Sequence, residues 1–174
     1  APLDQGQQGT CVCYAFAQCV AHGLLTKYEF CVDPGIFVEQ VKTLCPSWQG
    51  NDGIRICRDW NALAERRTDE RAKVEDVDKS KRLIRFRVEG PVAITECEAA
   101  CDLMDAAAGV LYMMVVIKIP GGGIHGLHAV AAWMTYPTAQ GRAMVARNSW
   151  GGAEPSWLGG DLRWLGADPS WLGA

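Results

Sequence analysis

The apolar residues of this chain change their spacing once along its length. Up to about residue 66 they recur at helical intervals; after Gly90 they gather in short runs rich in Val, Ile and Ala. Helices segregated from strands in this way make an α+β architecture, not an alternating α/β one, with the boundary near Glu89. A first helix is expected over residues 10–24, with Thr10 as its cap, Gly23 at its stop and Phe16, Cys19 and Val20 on one face. A second is expected over 34–44, where Phe37, Val41 and Leu44 recur, and a third over 54–66, carrying Ile56, Trp60, Leu63 and Ala64. The intervening residues 45–53 hold Pro46, Gly50, Asn51 and Gly53 and read as an ordered loop. After Gly90-Pro91 the segments 92–95, 110–119, 128–135 and 142–147 are the strand candidates.

Size and charge narrow the classes further. With 174 residues, 49% hydrophobic and 21% charged, the chain suits one domain, or two small lobes sharing a core. It is too apolar for a disordered chain. A net charge of −3 gives no electrostatic reason to expect nucleic-acid binding, and no apolar run approaches the ~18–20 residues of a membrane span. Residues 1–5 lack a basic segment followed by an apolar one and are not expected to act as a signal peptide. The charge-dense stretch 66–82 reads as a solvated face. Residues 155–174 repeat Trp-Leu-Gly three times, too short a unit for a solenoid, and read as a C-terminal extension.

Eight cysteines stand at 11, 13, 19, 31, 45, 57, 97 and 101. Their spacings do not complete a four-ligand zinc set, so no metal is expected. Cys11 and Cys13 fall at a predicted helix start, where exposed backbone N–H groups and the helix dipole favour a thiolate. A thiolate beside an imidazolium is the activated nucleophile of acyl-transfer enzymes. Of the three histidines, His22 lies within the first helix and reads as a packing or capping residue. His125 and His128 follow the glycine run 121–123 and enter a strand, where a ring can face a cleft. Asn148 can orient such a ring, and Gln5 or Gln7 can offer an amide to a developing oxyanion.

Taken in order, these segments resemble the papain-like cysteine peptidases. Asp4-Gln5-Gly6-Gln7-Gln8-Gly9-Thr10 with Cys13-Tyr14-Ala15-Phe16 is similar to the family's nucleophile segment. Gly126-Leu127-His128-Ala129-Val130 is similar to its histidine strand, and Val145-Ala146-Arg147-Asn148-Ser149-Trp150-Gly151 to its asparagine segment. Gly90-Pro91-Val92-Ala93-Ile94 resembles the start of its second lobe, and Gly50-Asn51-Asp52-Gly53, more loosely, its glycine-rich cleft wall. The resemblance implies a two-lobed fold: a helical lobe over 1–88, a β-barrel-like lobe over 89–154, and the active site in the cleft between them. It implies peptide-bond hydrolysis through a thiolate–imidazolium pair and a thioester acyl-enzyme, with no cofactor. His128 would be the base, Asn148 its orienter and a glutamine the oxyanion donor. Asp52, Gly53, Val92, Leu127 and Trp150 would line the substrate cleft, Trp150 also shielding the His128–Asn148 hydrogen bond from water.

The nucleophile has two registers. Cys11 keeps the family's step from Gln5, but Val12 follows where Trp is usual; Cys13 keeps the same step from Gln7 and is followed by Tyr14-Ala15-Phe16. The second is preferred, because it places the two extra residues in a loop instead of a helix whose core positions they would rotate. Thr10 stands where secreted members of the family carry a half-cystine. The resemblance further implies a peptide or protein substrate, a cystatin-like or propeptide inhibitor, and a lysosomal, vacuolar or secreted setting. The alternative is a catalytically impaired homologue that binds peptides in the same cleft.

Overall fold

A computed structural model of the chain describes residues 3–6, 9–42, 52–71, 87–89, 92–118, 127–139 and 141–149. Among them, in chain order, are α1 (Cys11–Tyr28), α2 (Pro34–Lys42), α3 (Gly53–Arg71), α4 (Cys97–Ala106), β1 (Met113–Lys118), β2 (Leu127–Thr138) and β3 (Gly141–Arg147). Gln7, Cys45, His125, Trp150, the glycine run 121–123, most of the loop 45–53 and of the charged stretch 66–82, and the Trp-Leu-Gly extension lie outside the described residues.

The three N-terminal helices pack around one aromatic cluster. Phe16 of α1, Phe37 of α2 and Trp60 of α3 meet with ring centroids 4.9–6.5 Å apart, each ring burying a large apolar area and adding an aromatic-pair preference. Val38, Val41 and Ile56 close the cluster with no more than 1% exposure. The starts of α2 and α3 are set by carboxylates. Asp33 Oδ1 accepts the Gly35 N–H at 2.8 Å before α2, and Asp52 Oδ1 accepts the Arg55 N–H at 2.6 Å before α3, satisfying amides that no helical carbonyl can reach. Thr10 behaves differently from the expectation that it caps α1: its side chain makes no cap hydrogen bond, and its buried hydroxyl has no partner among the described residues. Gly23 does not stop α1 either; the helix runs on to Tyr28 and ends on Glu29, whose φ of 54° is left-handed.

The strands form an antiparallel sheet in the order β1-β2-β3. His128 pairs with Ile117 across β1 and β2, and Ala131 with Arg147 across β2 and β3, with an irregularity between Ala132 and Met134. The middle strand is buried along residues 128–132, and its small side chains serve both faces. Ala129 joins the helical cluster, while Val130 and Ala132 join a second cluster with Ile117, Met144 and Ala146 of the sheet and Cys101 and Met104 of α4. The sequence reading did not include α4. Its buried residues Ala100, Cys101 and Met104 do repeat at helical spacing, but the window is short. Residues 92–96, in contrast, contain the segment expected as a strand and have no regular structure; they are exposed, with Val92 at 80%. With no strand paired to it among the described residues, β propensity alone does not make a strand.

The segment 87–89 is tied back to α3 by Asn61 and by an exposed ion pair between Arg87 and Glu65 at 3.3 Å. Asn61 Nδ2 donates to the Val88 carbonyl and its Oδ1 accepts the Val88 N–H, both at 2.9 Å. Asn61→Ala is expected to lower the unfolding free energy by about 1–3 kcal/mol in chemical denaturation, since both backbone groups lose their partner in a half-buried site. Asn61→Asp, which keeps the acceptor, is expected to lose less.

Candidate active site

The site is assembled where the start of α1 meets the ends of β2 and β3. Asp4 to Gly6 form a tight turn: Gly6 adopts φ +58° and donates its N–H to Asp4 Oδ1 at 2.8 Å, a left-handed position that favours glycine. Tyr14 pins this turn to α1 by donating its hydroxyl to the Asp4 carbonyl at 2.9 Å. The turn presents Gln5, only 8% exposed, to the end of β3. There the Gln5 N–H donates to the Ser149 carbonyl at 2.7 Å, and the Ser149 hydroxyl donates to Gln5 Oε1. With Oε1 accepting from Ser149, the Gln5 side chain turns its amide nitrogen, its donor end, the other way.

Asn148 continues the chain of contacts. Its Oδ1 accepts the Ser149 N–H at 2.7 Å and lies 2.7 Å from His128 Nε2. A backbone N–H can only donate, so the Asn148 atom is the carbonyl oxygen, and His128 must carry its proton on Nε2. That tautomer leaves Nδ1 as the basic nitrogen. His128 is 3% exposed, and burial lowers its pKa from the usual 6.5, partly offset by the Asn148 hydrogen bond. The neutral ring is therefore the favoured form at neutral pH.

The two candidate thiols are placed differently. Cys13, the nucleophile preferred from sequence, is 0% exposed, sits inside the helical cluster, and directs its Sγ to the Val41 carbonyl at 3.5 Å. Its partner Gln7 is outside the described residues, whereas Gln5, the glutamine of the other register, is bound to Ser149. The preference for Cys13 rests on a helix with one buried face that a two-residue insertion would rotate away. Every residue from Val12 to Gln18 is buried, so the N-terminal half of α1 is covered all round and has no single face to preserve. Cys11 is the first residue of the helix and partly exposed. The Thr10 carbonyl accepts the Cys13 and Tyr14 N–H groups, while the Thr10 side chain caps nothing. The positive end of the helix is thus presented at Cys11, which packs against the same cluster as Ala129, the residue after His128.

Burial pushes four further thiols toward the protonated, unreactive form. Cys19 and Cys101 are each raised to about 12 by burial, with Cys57 and Cys97 respectively adding to it, and Cys57 and Cys97 are themselves raised by burial. No disulfide joins Cys11, Cys13, Cys19, Cys31, Cys57, Cys97 and Cys101 to one another. Among the described residues no three His, Cys, Asp or Glu side chains converge as metal ligands, and no helix is long and apolar enough to cross a membrane.

Of the expected cleft residues, Leu127 and Val92 are exposed apolar side chains, Leu127 at 57% beside the buried His128. Asp52 acts as the cap of α3, and Gly53 meets β1, where an added Cβ would come within 2.7 Å of Met114 Cε. Two site residues were missed from sequence. In sequence Ser149 and Tyr14 stand only as members of the asparagine and nucleophile segments; the signal for Ser149 is its place next to Asn148. Comparison with family models, with curated proteins and with solved structures gives no match, so the reading of this site stands on its geometry.

The depressed pKa of His128 links stability to pH. The unfolded chain binds a proton near pH 6.5 that the folded chain takes up only at lower pH, so stability is full above 6.5 and falls as pH drops toward the folded value. Thermal midpoints measured between pH 7.5 and about 5 should decline in the native protein, and this part of the decline should be absent in His128→Gln.

Proposed function

We propose that the chain is a cysteine-type peptidase of papain-like organisation, with the helical cluster and the sheet cluster as its two lobes and Cys11 as its nucleophile. The observation that carries this reading is the continuous chain of hydrogen bonds from His128 through Asn148 and Ser149 to Gln5. It fixes in one frame a base with its tautomer set and an amide donor six residues before a thiol at a helix start. Each piece alone is ordinary; the linked set is what acyl transfer needs.

In this mechanism the Cys11 thiol gives its proton to His128 Nδ1, and the resulting thiolate is stabilised by the N-terminal end of α1. The thiolate attacks the carbonyl carbon of a peptide bond. The carbonyl oxygen takes the negative charge and receives hydrogen bonds from the Gln5 amide and the Cys11 backbone N–H. His128 then protonates the leaving amine as the C–N bond breaks, leaving a thioester on Cys11. Water, deprotonated by the neutral ring, attacks the thioester and releases the acid, restoring the thiol. Burial of His128 suits this cycle, because an imidazolium in that position is stabilised mainly when the thiolate faces it.

Turnover of a fluorogenic dipeptide library under reducing conditions, with and without an epoxide thiol inhibitor, tests the reading. Cys11→Ala is expected to abolish both turnover and labelling by a thiol-reactive peptide analogue, while Cys13→Ala, if it folds, keeps labelling. Loss in Cys13→Ala with retention in Cys11→Ala would reverse the assignment. Gln5→Ala is expected to lower kcat about 10²–10³-fold as an oxyanion donor is removed. Ser149→Ala, which frees Gln5 to turn, should lower kcat less and leave KM nearly unchanged. A folded sample with no inhibitor-sensitive turnover would favour a peptide-binding role for the same cleft.

A further inference from the structure

A second cavity, of about 240 Å³, lies between the later turns of α1, the loop leading into α2, and the sheet. It begins at Gln18, seven residues beyond Cys11, or about 10 Å along the helix at ~1.5 Å per residue, so it is separate from the candidate catalytic pair. Three features define what it can hold. Its walls are apolar where Leu25, Val32 and Pro34 face it. Its lining contains one full positive charge, Arg147, and no carboxylate among the described residues. The Arg147 guanidinium, exposed at the end of β3, makes no hydrogen bond or ion pair among the described residues, unlike Arg142, which binds Glu98, Asp102 and Asp105.

The remaining polar groups of the lining are largely committed. His22 Nε2 lies 3.0 Å from the Gly109 carbonyl, so it is the protonated nitrogen, and the ring stacks on Tyr112 at 3.6 Å between centroids. Tyr112 stacks in turn on Trp133 at 5.2 Å. Gln18 Nε2 donates to the Tyr14 carbonyl. Burial raises the pKa of the Tyr112 hydroxyl and the Arg147 guanidinium partly offsets it, in keeping with the two residues lining the same cavity. The volume is below the ~300–1,000 Å³ typical of drug-sized ligand sites, so the occupant is no larger than about one amino-acid residue.

We infer that this cavity is a binding site for a small apolar monocarboxylate, its acid group paired with Arg147 and its hydrocarbon part against Leu25, Val32 and Pro34. A planar guanidinium binds a carboxylate through two parallel hydrogen bonds, which gives a preference for acids over amides of the same shape. The same chemistry is offered by a free acylated amino acid and by the last residue of a peptide.

The test uses the whole protein and three probes, followed by NMR through the Arg147 side-chain and Tyr112 ring signals. N-acetyl-leucine should give saturable shifts at those signals, and N-acetyl-leucinamide, which lacks the charge, should bind at least about ten-fold more weakly. Acetyl-Ala-Ala-Leu with a free carboxylate separates the sources: binding equal to N-acetyl-leucine assigns the site to chain ends, and much weaker binding assigns it to free small acids. Arg147→Gln, checked for an unchanged circular dichroism spectrum and thermal midpoint, should lose a similar factor for N-acetyl-leucine. Equal binding of acid and amide by the native protein, undiminished binding in Arg147→Gln, or no saturable shift at tens of millimolar would each overturn the assignment.

Discussion

Two hydrogen bonds between Gln5 and Ser149 join points 144 residues apart in sequence, and the candidate site depends on that closure. A net contribution of about 0.5–1.5 kcal/mol for each such bond cannot by itself offset ordering a chain segment of this length. The closure is held by what surrounds it. Tyr14 fixes the Asp4 carbonyl from the side of α1, and α1 is fixed to β2 through the burial of Ala129 in the helical cluster. Gln5 and Ser149 meet because apolar packing has already brought α1 and the sheet together; their hydrogen bonds then select one geometry among those the packing allows.

That packing rests on the small residues of β2. Ala129, Ala131 and Ala132 are almost fully buried, and the strand is covered by α1 on behalf of one cluster and by α4 on behalf of the other. Larger side chains there would push the helices off the strand, and overpacking of this kind costs about 1–3 kcal/mol per site. The same arrangement explains the placement of His128 at the start of the strand. It lies at the entry to the most tightly covered stretch, so its ring is desolvated while its neighbour Leu127 stays exposed.

How much of this was legible in the sequence depended on which residues decide each feature. The helical segments were readable because Phe16, Phe37, Val41, Ile56 and Trp60 face one cluster and repeat at helical spacing. The strands carrying His128 and ending at Arg147 were readable from their apolar runs. Helix α4 was missed because its buried set is three residues long, and 92–96 was misread because propensity says nothing about whether a partner strand exists. The set His128, Asn148 and a glutamine was legible as an order of residue types. Its register was not, since choosing between Cys11 and Cys13 turns on how far the N-terminal half of α1 is enclosed, and enclosure is a property of the whole fold. The role of Ser149 was not legible for a related reason: a serine acquires its role from the distant residue that its hydroxyl meets.

The cysteine content takes on a different meaning once burial is known. A free thiol in an apolar interior behaves as a small hydrophobe, and desolvation keeps it protonated. Cys19, Cys57, Cys97 and Cys101 are all raised in this way, and Cys13 lies fully inside the helical cluster with its sulfur on a backbone carbonyl. Cys13, Cys57, Cys97 and Cys101 fill space in or against two small cores, where a thiol packs like the alanines and methionines beside it. Burial that suppresses thiolate formation in the cores also sharpens the contrast at the surface end of α1. In the proposed mechanism a thiolate there draws on the helix end at Thr10 and on the neutral imidazole whose tautomer Asn148 sets. On that proposal, selectivity between Cys11 and the buried thiols follows from where the chain withholds solvent and where it does not.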